Sequence, residues 1–385
     1  MIYLDNAATT YPKPPAVRRA VGESFTEYFA NPGRGGYDAS EKCAEAVFSC
    51  RAKLGELFGC PADRVVFTHN CTTALNISLK GLLKPGDHVI CSSLEHNAVM
   101  RPLFALHQTG VEVDVAEVIF GDMEATVRSF RNLIRKNTRM IVCTHASNLL
   151  GTIFPITEIG TLCHENGLLF VVDAAQSAGI LDIDMQRMQI DYLCVAGHKG
   201  LYAPMGIGVL LCRGDCPRPL ILGGTGTNSR SMEQPDDLPE RLESGTVTLP
   251  GILGLSAGVD FVRQKTPERI YSHELALMQK AYRGLEGMRS VMLYTALPEK
   301  GLSVPVMPFN IAGLSSEETA AFLGENGIAV RAGMHCAPSA HKRIGTLDIG
   351  AVRIAPSAFT SPEDINKLLN VLERLNQKQK YARKY

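Results

Sequence analysis

Two polar side chains stand directly after apolar runs in this 385-residue sequence. Tyr192 to Ala196 reads as a buried strand and passes into Gly197-His198-Lys199-Gly200, while Leu169 to Val172 passes into Asp173-Ala174-Ala175-Gln176. A lysine at the end of a buried strand is costly unless it is paired or chemically used. Taken singly, each has an ordinary reading: Lys199 as a side chain snorkelling from a loop, Asp173 as the cap of the next helix. Together they supply an amine that can form an imine and a carboxylate that can keep a pyridinium nitrogen protonated, which is what a pyridoxal site requires. A third segment, Phe67-Thr68-His69-Asn70-Cys71-Thr72-Thr73, turns from a strand into a helical pattern. The unpaired N–H groups and positive dipole end of such a helix suit a phosphate, helped by the Thr72 hydroxyl, although plain threonine capping gives the same pattern.

The elements that must hold these groups alternate from about residue 64 to residue 212: short β-branched runs between longer helical patterns, the signature of an α/β fold with a mostly parallel sheet covered by helices. The expected strands are Arg64 to Thr68, His88 to Ser92, Arg139 to Thr144, Leu168 to Val172, Tyr192 to Ala196 and Ile207 to Cys212. Ligands of such sheets lie beyond the carboxyl ends of the strands, which is where Lys199 and Asp173 fall. After Leu249-Pro250-Gly251 a long helical stretch leads into a region with shorter strands near Val306 to Ile311 and Ile328 to Arg331, read as a smaller α+β domain. The expected division is an N-terminal segment over 1–20 packing with the small domain, a large domain over 21–262, and a small domain over 263–385. Tyr3 to Lys13 is expected to be a loop and not a core strand, and Lys378 to Tyr385 a frayed end.

Lys plus Arg and Asp plus Glu both number 39, so the net charge recruits neither nucleic acid nor an anionic membrane. No apolar run is long enough to span a bilayer, and Met1-Ile2-Tyr3-Leu4-Asp5 has no signal-like character, so a cytoplasmic protein acting on a small molecule is expected. Eleven cysteines without framework spacing predict reduced thiols, most of them buried. Cys212 and Cys216 form a close pair with no second pair to complete a zinc set, and no metal is expected.

With these segments in place, the sequence resembles the class V aminotransferase family, and within it the group II cysteine desulfurase and selenocysteine lyase branch. The resemblance runs from Tyr3-Leu4-Asp5-Asn6-Ala7-Ala8-Thr9-Thr10 to Gly350-Ala351-Val352-Arg353. It implies a fold-type I enzyme dependent on pyridoxal 5'-phosphate, normally a homodimer with shared active sites. Lys199 then matches the lysine that forms the Schiff base, Asp173 the partner of the pyridine nitrogen, Gln176 a donor to the phenolic oxygen, and His96 the histidine stacked on the ring. Cys71, Thr72 and His198 match contacts of the cofactor and its phosphate, and Thr246, in Glu243-Ser244-Gly245-Thr246, a phosphate ligand given by the neighbouring subunit. Asn148, Arg353, Arg331, Arg34 and Asn6 match the substrate side, arginine suiting a carboxylate through its planar fork.

Arg331-Ala332-Gly333-Met334-His335-Cys336-Ala337-Pro338 resembles the Arg-x-Gly-x-His-Cys signature, with Cys336 on the persulfide cysteine and flanking basic residues expected to favour its thiolate. The implied reaction converts L-cysteine to L-alanine: Lys199 removes the Cα proton, Cys336 takes the sulfur, His96 shuttles a proton, and an acceptor protein collects the persulfide sulfur. Two departures stand out. Relatives often have Ser or Thr where this chain has Ala196, and histidine where it has Tyr37.

Rival readings are a selenocysteine lyase, a transaminase or β-eliminating lyase on the same scaffold, and a noncatalytic sulfur-assembly protein. The last predicts a vestigial site, whereas Lys199, Asp173, His96, Arg353 and Cys336 are all present. A dehydrogenase is disfavoured, because Gly206-Ile207-Gly208 and Gly223-Gly224-Thr225-Gly226 lack the strand-turn-helix fingerprint.

Overall fold

In the computed structural model, residues 1–33 and 35–382 are described, with side chains to Gln377 at the C-terminal end. Seven of the eight expected strands appear within one residue of their predicted limits. In chain order the strands are β1 (Ile2–Tyr3), β2 (Val65–Thr68), β3 (His88–Ser92), β4 (Glu112–Ala116), β5 (Thr138–Thr144), β6 (Leu169–Asp173), β7 (Tyr192–Ala196), β8 (Gly208–Cys212), β9 (Val291–Leu293), β10 (Met307–Ile311), β11 (Ile328–Ala329) and β12 (Val352–Ile354).

Seven of them form one sheet in the order β2-β8-β7-β6-β5-β3-β4. Only β8 runs against its neighbours, β7 on one side and β2 on the other. Two reversals restore the direction, so β2 points the same way as β7, β6, β5 and β3. Successive residues of the strands divide between two apolar cores, one on each face: Phe67, Ile141, Val172 and Val195 on one, Val66, Val142, Val171 and Cys194 on the other. Burial on both faces is why these strands read as unbroken apolar runs. Helices Asp38–Phe58, Ile156–Glu165 and Leu249–Lys265 cover the first face, and Cys71–Leu82 with Asn97–His107 the second.

A third core lies in the C-terminal region, where β12-β10-β9 form an antiparallel sheet packed by helices Pro267–Glu286 and Pro362–Ala382. Ile2 and Leu4 belong to this core. The expectation of a loop from Tyr3 needs correction at its start: β1 pairs in parallel with β11, and Asp5 bridges to Ala355. Two residues are too few to display a period, and the pairing partner is over three hundred residues away. Strand β4 was not expected either; as the sheet edge it alternates charged and apolar residues, and only Ala116 is buried. Of the predicted Ile328 to Arg331 strand, Arg331 retains a single bridge, to Arg353. Among the described residues no helix is long and apolar enough to cross a membrane.

Candidate active site

The common direction of β2, β3, β5, β6 and β7 puts their carboxyl ends on one edge of the sheet, and a pocket opens there. Its lining includes Cys71, Thr72, His96, Asn148, Asp173, Gln176, His198 and Lys199, residues spread over more than a hundred positions of sequence. Asp173 ends β6 with its Oδ1 accepting the Ala175 N–H at 2.9 Å and the Cys71 thiol at 3.5 Å. Among the described residues nothing donates to Oδ2, which remains available to the pocket. Burial lowers the pKa of the Lys199 amine, and the nearby Asp173 carboxylate works against that shift. Gln176 donates to the Ala7 carbonyl at 3.0 Å and keeps its second amide proton.

His96 caps helix Asn97–His107, its Nδ1 accepting the Ala98 N–H at 3.0 Å. An accepting Nδ1 leaves the proton on Nε2, and burial lowers the ring's pKa, so the imidazole is neutral at pH 7. Beneath it lies fully buried Glu95, whose Oε1 accepts the Ser92 hydroxyl and, at 2.7 Å, the Thr144 N–H. Its carboxyl is pushed up to about 8 by burial. Sequence reasoning passed over Glu95, although its place beside His96 was the available signal.

At the other end of the pocket, Asn70 caps helix Cys71–Leu82, its side chain accepting from the Thr73 N–H at 2.9 Å. The N–H groups of Cys71 and Thr72, in the first turn, have no intrahelical acceptor. Gly208 packs so closely that a Cβ there would lie 2.4 Å from the Asn70 carbonyl carbon, so only glycine lets β8 approach this turn. The His198 Nδ1 is buried without a partner among the described residues, and burial brings its pKa down to about 4. Ala196 also lines the pocket. Amine, carboxylate, open helix N-terminus and an unpartnered imidazole nitrogen form a donor set that fits pyridoxal 5'-phosphate. Thr246 is not in this pocket; it is exposed and lines two others, one beside Leu220 and Ile221.

The C-terminal region closes one side. Arg353, 1% exposed, donates to the Asn148 carbonyl at 2.9 Å and to Asp5 Oδ1 at 2.8 Å, while its Nε has no partner among the described residues. Three of its five N–H donors remain unused. Arg331 exchanges backbone hydrogen bonds with Arg353. Asn6 is committed internally: Nδ2 to the carbonyls of Tyr3 and Ala355, Oδ1 to the Tyr11 N–H. Arg34 lies outside the described residues, as do 383–385 of the expected frayed end, and Tyr37 is exposed ahead of helix Asp38–Phe58.

All eleven cysteines are free thiols; nine are buried, Cys216 is half-buried, and Cys336 is exposed. His335 and Cys336 both adopt left-handed backbone, φ 50° and 55°, which costs about 1 kcal/mol or more at a residue other than glycine. Neighbouring elements hold them there. The His335 carbonyl accepts from Asn148 Nδ2 at 2.7 Å, and the Cys336 carbonyl from the Asn97 N–H at 2.9 Å. His335 is buried, donates through Nε2 to the Ala351 carbonyl at 2.9 Å, and burial drives its pKa down to about 3.

Comparison with known proteins identifies the family. The family model described as Aminotransferase class-V matches residues 2–368. The chain is 33% identical to the "Probable cysteine desulfurase" of Methanothermobacter thermautotrophicus, covering 97% of this chain and 94% of that one. It is 30% identical to the cysteine desulfurase of Haloferax volcanii, over 97% and 89% of the two chains. Among solved structures, the apo cysteine desulfurase of Thermococcus onnurineus NA1 superposes with a TM-score of 0.90 at 31% identity, over 98% of this chain and 95% of that one. The cysteine desulfurase CsdA of Escherichia coli, in its S-sulfonic acid form, gives 0.86 at 27% identity, over 97% and 94%. The fold, the pocket at the strand ends and these likenesses agree: the chain belongs to the class-V aminotransferase family.

Proposed function

We propose that this protein is a pyridoxal 5'-phosphate-dependent cysteine desulfurase that converts L-cysteine to L-alanine and carries the removed sulfur as a persulfide on Cys336. The carrying observation is that the exposed thiol belongs to a loop hydrogen-bonded to Asn97 and to Asn148, and Asn148 lines the Lys199 pocket. The relatives named as cysteine desulfurases support the same reading.

Lys199 would hold the cofactor covalently, with Asp173 Oδ2 toward its ring nitrogen, His96 against the ring, Gln176 toward its phenolic oxygen, and Cys71, Thr72 and His198 toward its phosphate. When bound, the cofactor supplies an electron sink for the bonds at the substrate's Cα. Arg353 and Asn148 orient the substrate carboxylate, with Arg331 adding positive charge. The Lys199 amine, once free, moves the proton at Cα, and His96 moves one at the substrate thiol. The Cys336 sulfur then bonds to the substrate sulfur as the Cβ–S bond breaks, the electron pair left at Cβ takes up a proton, and alanine leaves. The large domain carries Lys199 and Asp173, and the small C-terminal domain presents Cys336. Exposed Thr246 suits a homodimer in which it reaches the neighbouring pocket, and the persulfide passes to an acceptor protein in the cytoplasm.

Mass spectrometry after incubation with L-cysteine tests the reading. One added sulfur atom on Cys336, with alanine formed in proportion, is the expected result; pyruvate and free sulfide in place of alanine, with no sulfur on Cys336, would mean simple β-elimination.

A further inference from the structure

The N-terminal segment crosses the loop that presents Lys199 and concentrates its hydrogen bonds on one carbonyl. The His198 oxygen accepts from Thr9 Oγ1 at 3.1 Å, the Thr10 N–H at 3.1 Å, and Lys13 Nζ at 2.9 Å. Lys13 Nζ also donates to Thr10 Oγ1 at 2.9 Å. The Thr10 hydroxyl lies 3.2 Å from the His198 oxygen and 3.0 Å from the Lys199 oxygen, and its single proton can serve one of them. With the ammonium already on the His198 carbonyl, that proton is directed to the carbonyl of Lys199 itself.

We infer that Lys13 is a positioning residue for Lys199: by bridging the Thr10 hydroxyl and the His198 carbonyl, its ammonium fixes the main chain from which the Lys199 amine enters the pocket. The inference rests on the reading of Lys199 as the cofactor's attachment point.

Two features of the sequence make the device necessary and workable. Lys199 is flanked by Gly197 and Gly200, so its backbone carries little stiffness of its own. Lys13 lies in Tyr11-Pro12-Lys13-Pro14-Pro15, where proline fixes φ and restricts the residue before it, so the lysine is delivered from a stiff stretch of chain. Burial brings the Lys13 amine down to about 8, which still leaves it mainly cationic at neutral pH. No carboxylate pairs with Lys13 among the described residues, so its charge is directed at main-chain and hydroxyl oxygens.

Apo protein of the wild type, Lys13→Met, Lys13→Arg, Thr10→Val and Lys199→Ala is titrated with pyridoxal 5'-phosphate, following visible absorbance, its pH dependence and the apo melting temperature. Lys13→Met should weaken cofactor affinity about tenfold, the scale of one charged hydrogen bond, and shift the pH at which the band changes, with Lys13→Arg restoring most of both. The inference is overturned if Lys13→Met binds within about twofold of wild type, or if its loss merely follows a lowered melting temperature and Lys13→Arg does not rescue it. Should Lys13→Met not fold, Thr10→Val decides by the same affinity criterion. A wild-type band that persists in Lys199→Ala would instead refute the attachment point.

Discussion

The Cys336 carbonyl accepts the N–H of Asn97 at 2.9 Å, joining the exposed thiol's loop to the first residue of the helix that His96 caps. Proline is well tolerated at this first helical position, and the extended backbone of His96, φ −71° and ψ 156°, already suits a residue before proline. Asn97→Pro therefore deletes one donor with little other disturbance. The rate of persulfide formation should fall about 2- to 10-fold, the range for one hydrogen bond, with cofactor affinity unchanged. Rapid-quench mass spectrometry against absorbance titration separates the two quantities.

Exposure predicts thiol reactivity. An aromatic disulfide reagent should modify one cysteine per native chain at least about a hundredfold faster than the buried ones, and Cys336→Ser should remove that phase. A fast phase surviving in Cys336→Ser would contradict the arrangement of the loop.

Glu95 makes stability depend on pH. Its carboxyl rises from the ordinary 4.5 to about 8 in the fold, so between those values the folded chain keeps a proton that the unfolded chain releases. Stability from this group is present in full below about pH 4.5 and is lost as pH rises towards about 8. Glu95→Gln preserves the shape of the neutral acid and should flatten this fall, leaving the variant more stable than wild type at the alkaline end. Denaturant midpoints across the window provide the measurement.

The Arg353–Asp5 pair should matter for both folding and substrate. Asp5→Ala leaves a guanidinium that is 1% exposed without its counter-charge, a loss on the order of 3 kcal/mol. The KM for L-cysteine should rise while cofactor affinity stays near wild type. Unchanged stability in urea would show that the Asn148 carbonyl alone can satisfy Arg353.

Much of this architecture was legible because β2, β3, β5, β6, β7 and β8 are buried on both faces and so leave unbroken apolar runs. The strands that were missed, β1, β4, β9 and β12, are short or lie at an edge, where pairing with distant segments outweighs local pattern. Lys199 and Asp173 were visible because a charged group after an apolar strand is anomalous. Glu95, Asp5 and Lys13 carried no such mark: each is explained only by what it touches.

The sequence alone determined the α/β class, the strand-end placement of Lys199 and Asp173, and, through family resemblance, the thiol at Cys336. Tertiary structure decided the rest. It brought the Cys336 loop to the helix that His96 caps, committed Asn6 internally, directed Arg353 to Asp5, and kept Thr246 out of its own chain's pocket. The reason is physical: strand patterns are written by neighbours in sequence, whereas these contacts join segments up to about 350 residues apart and exist only after both cores have formed.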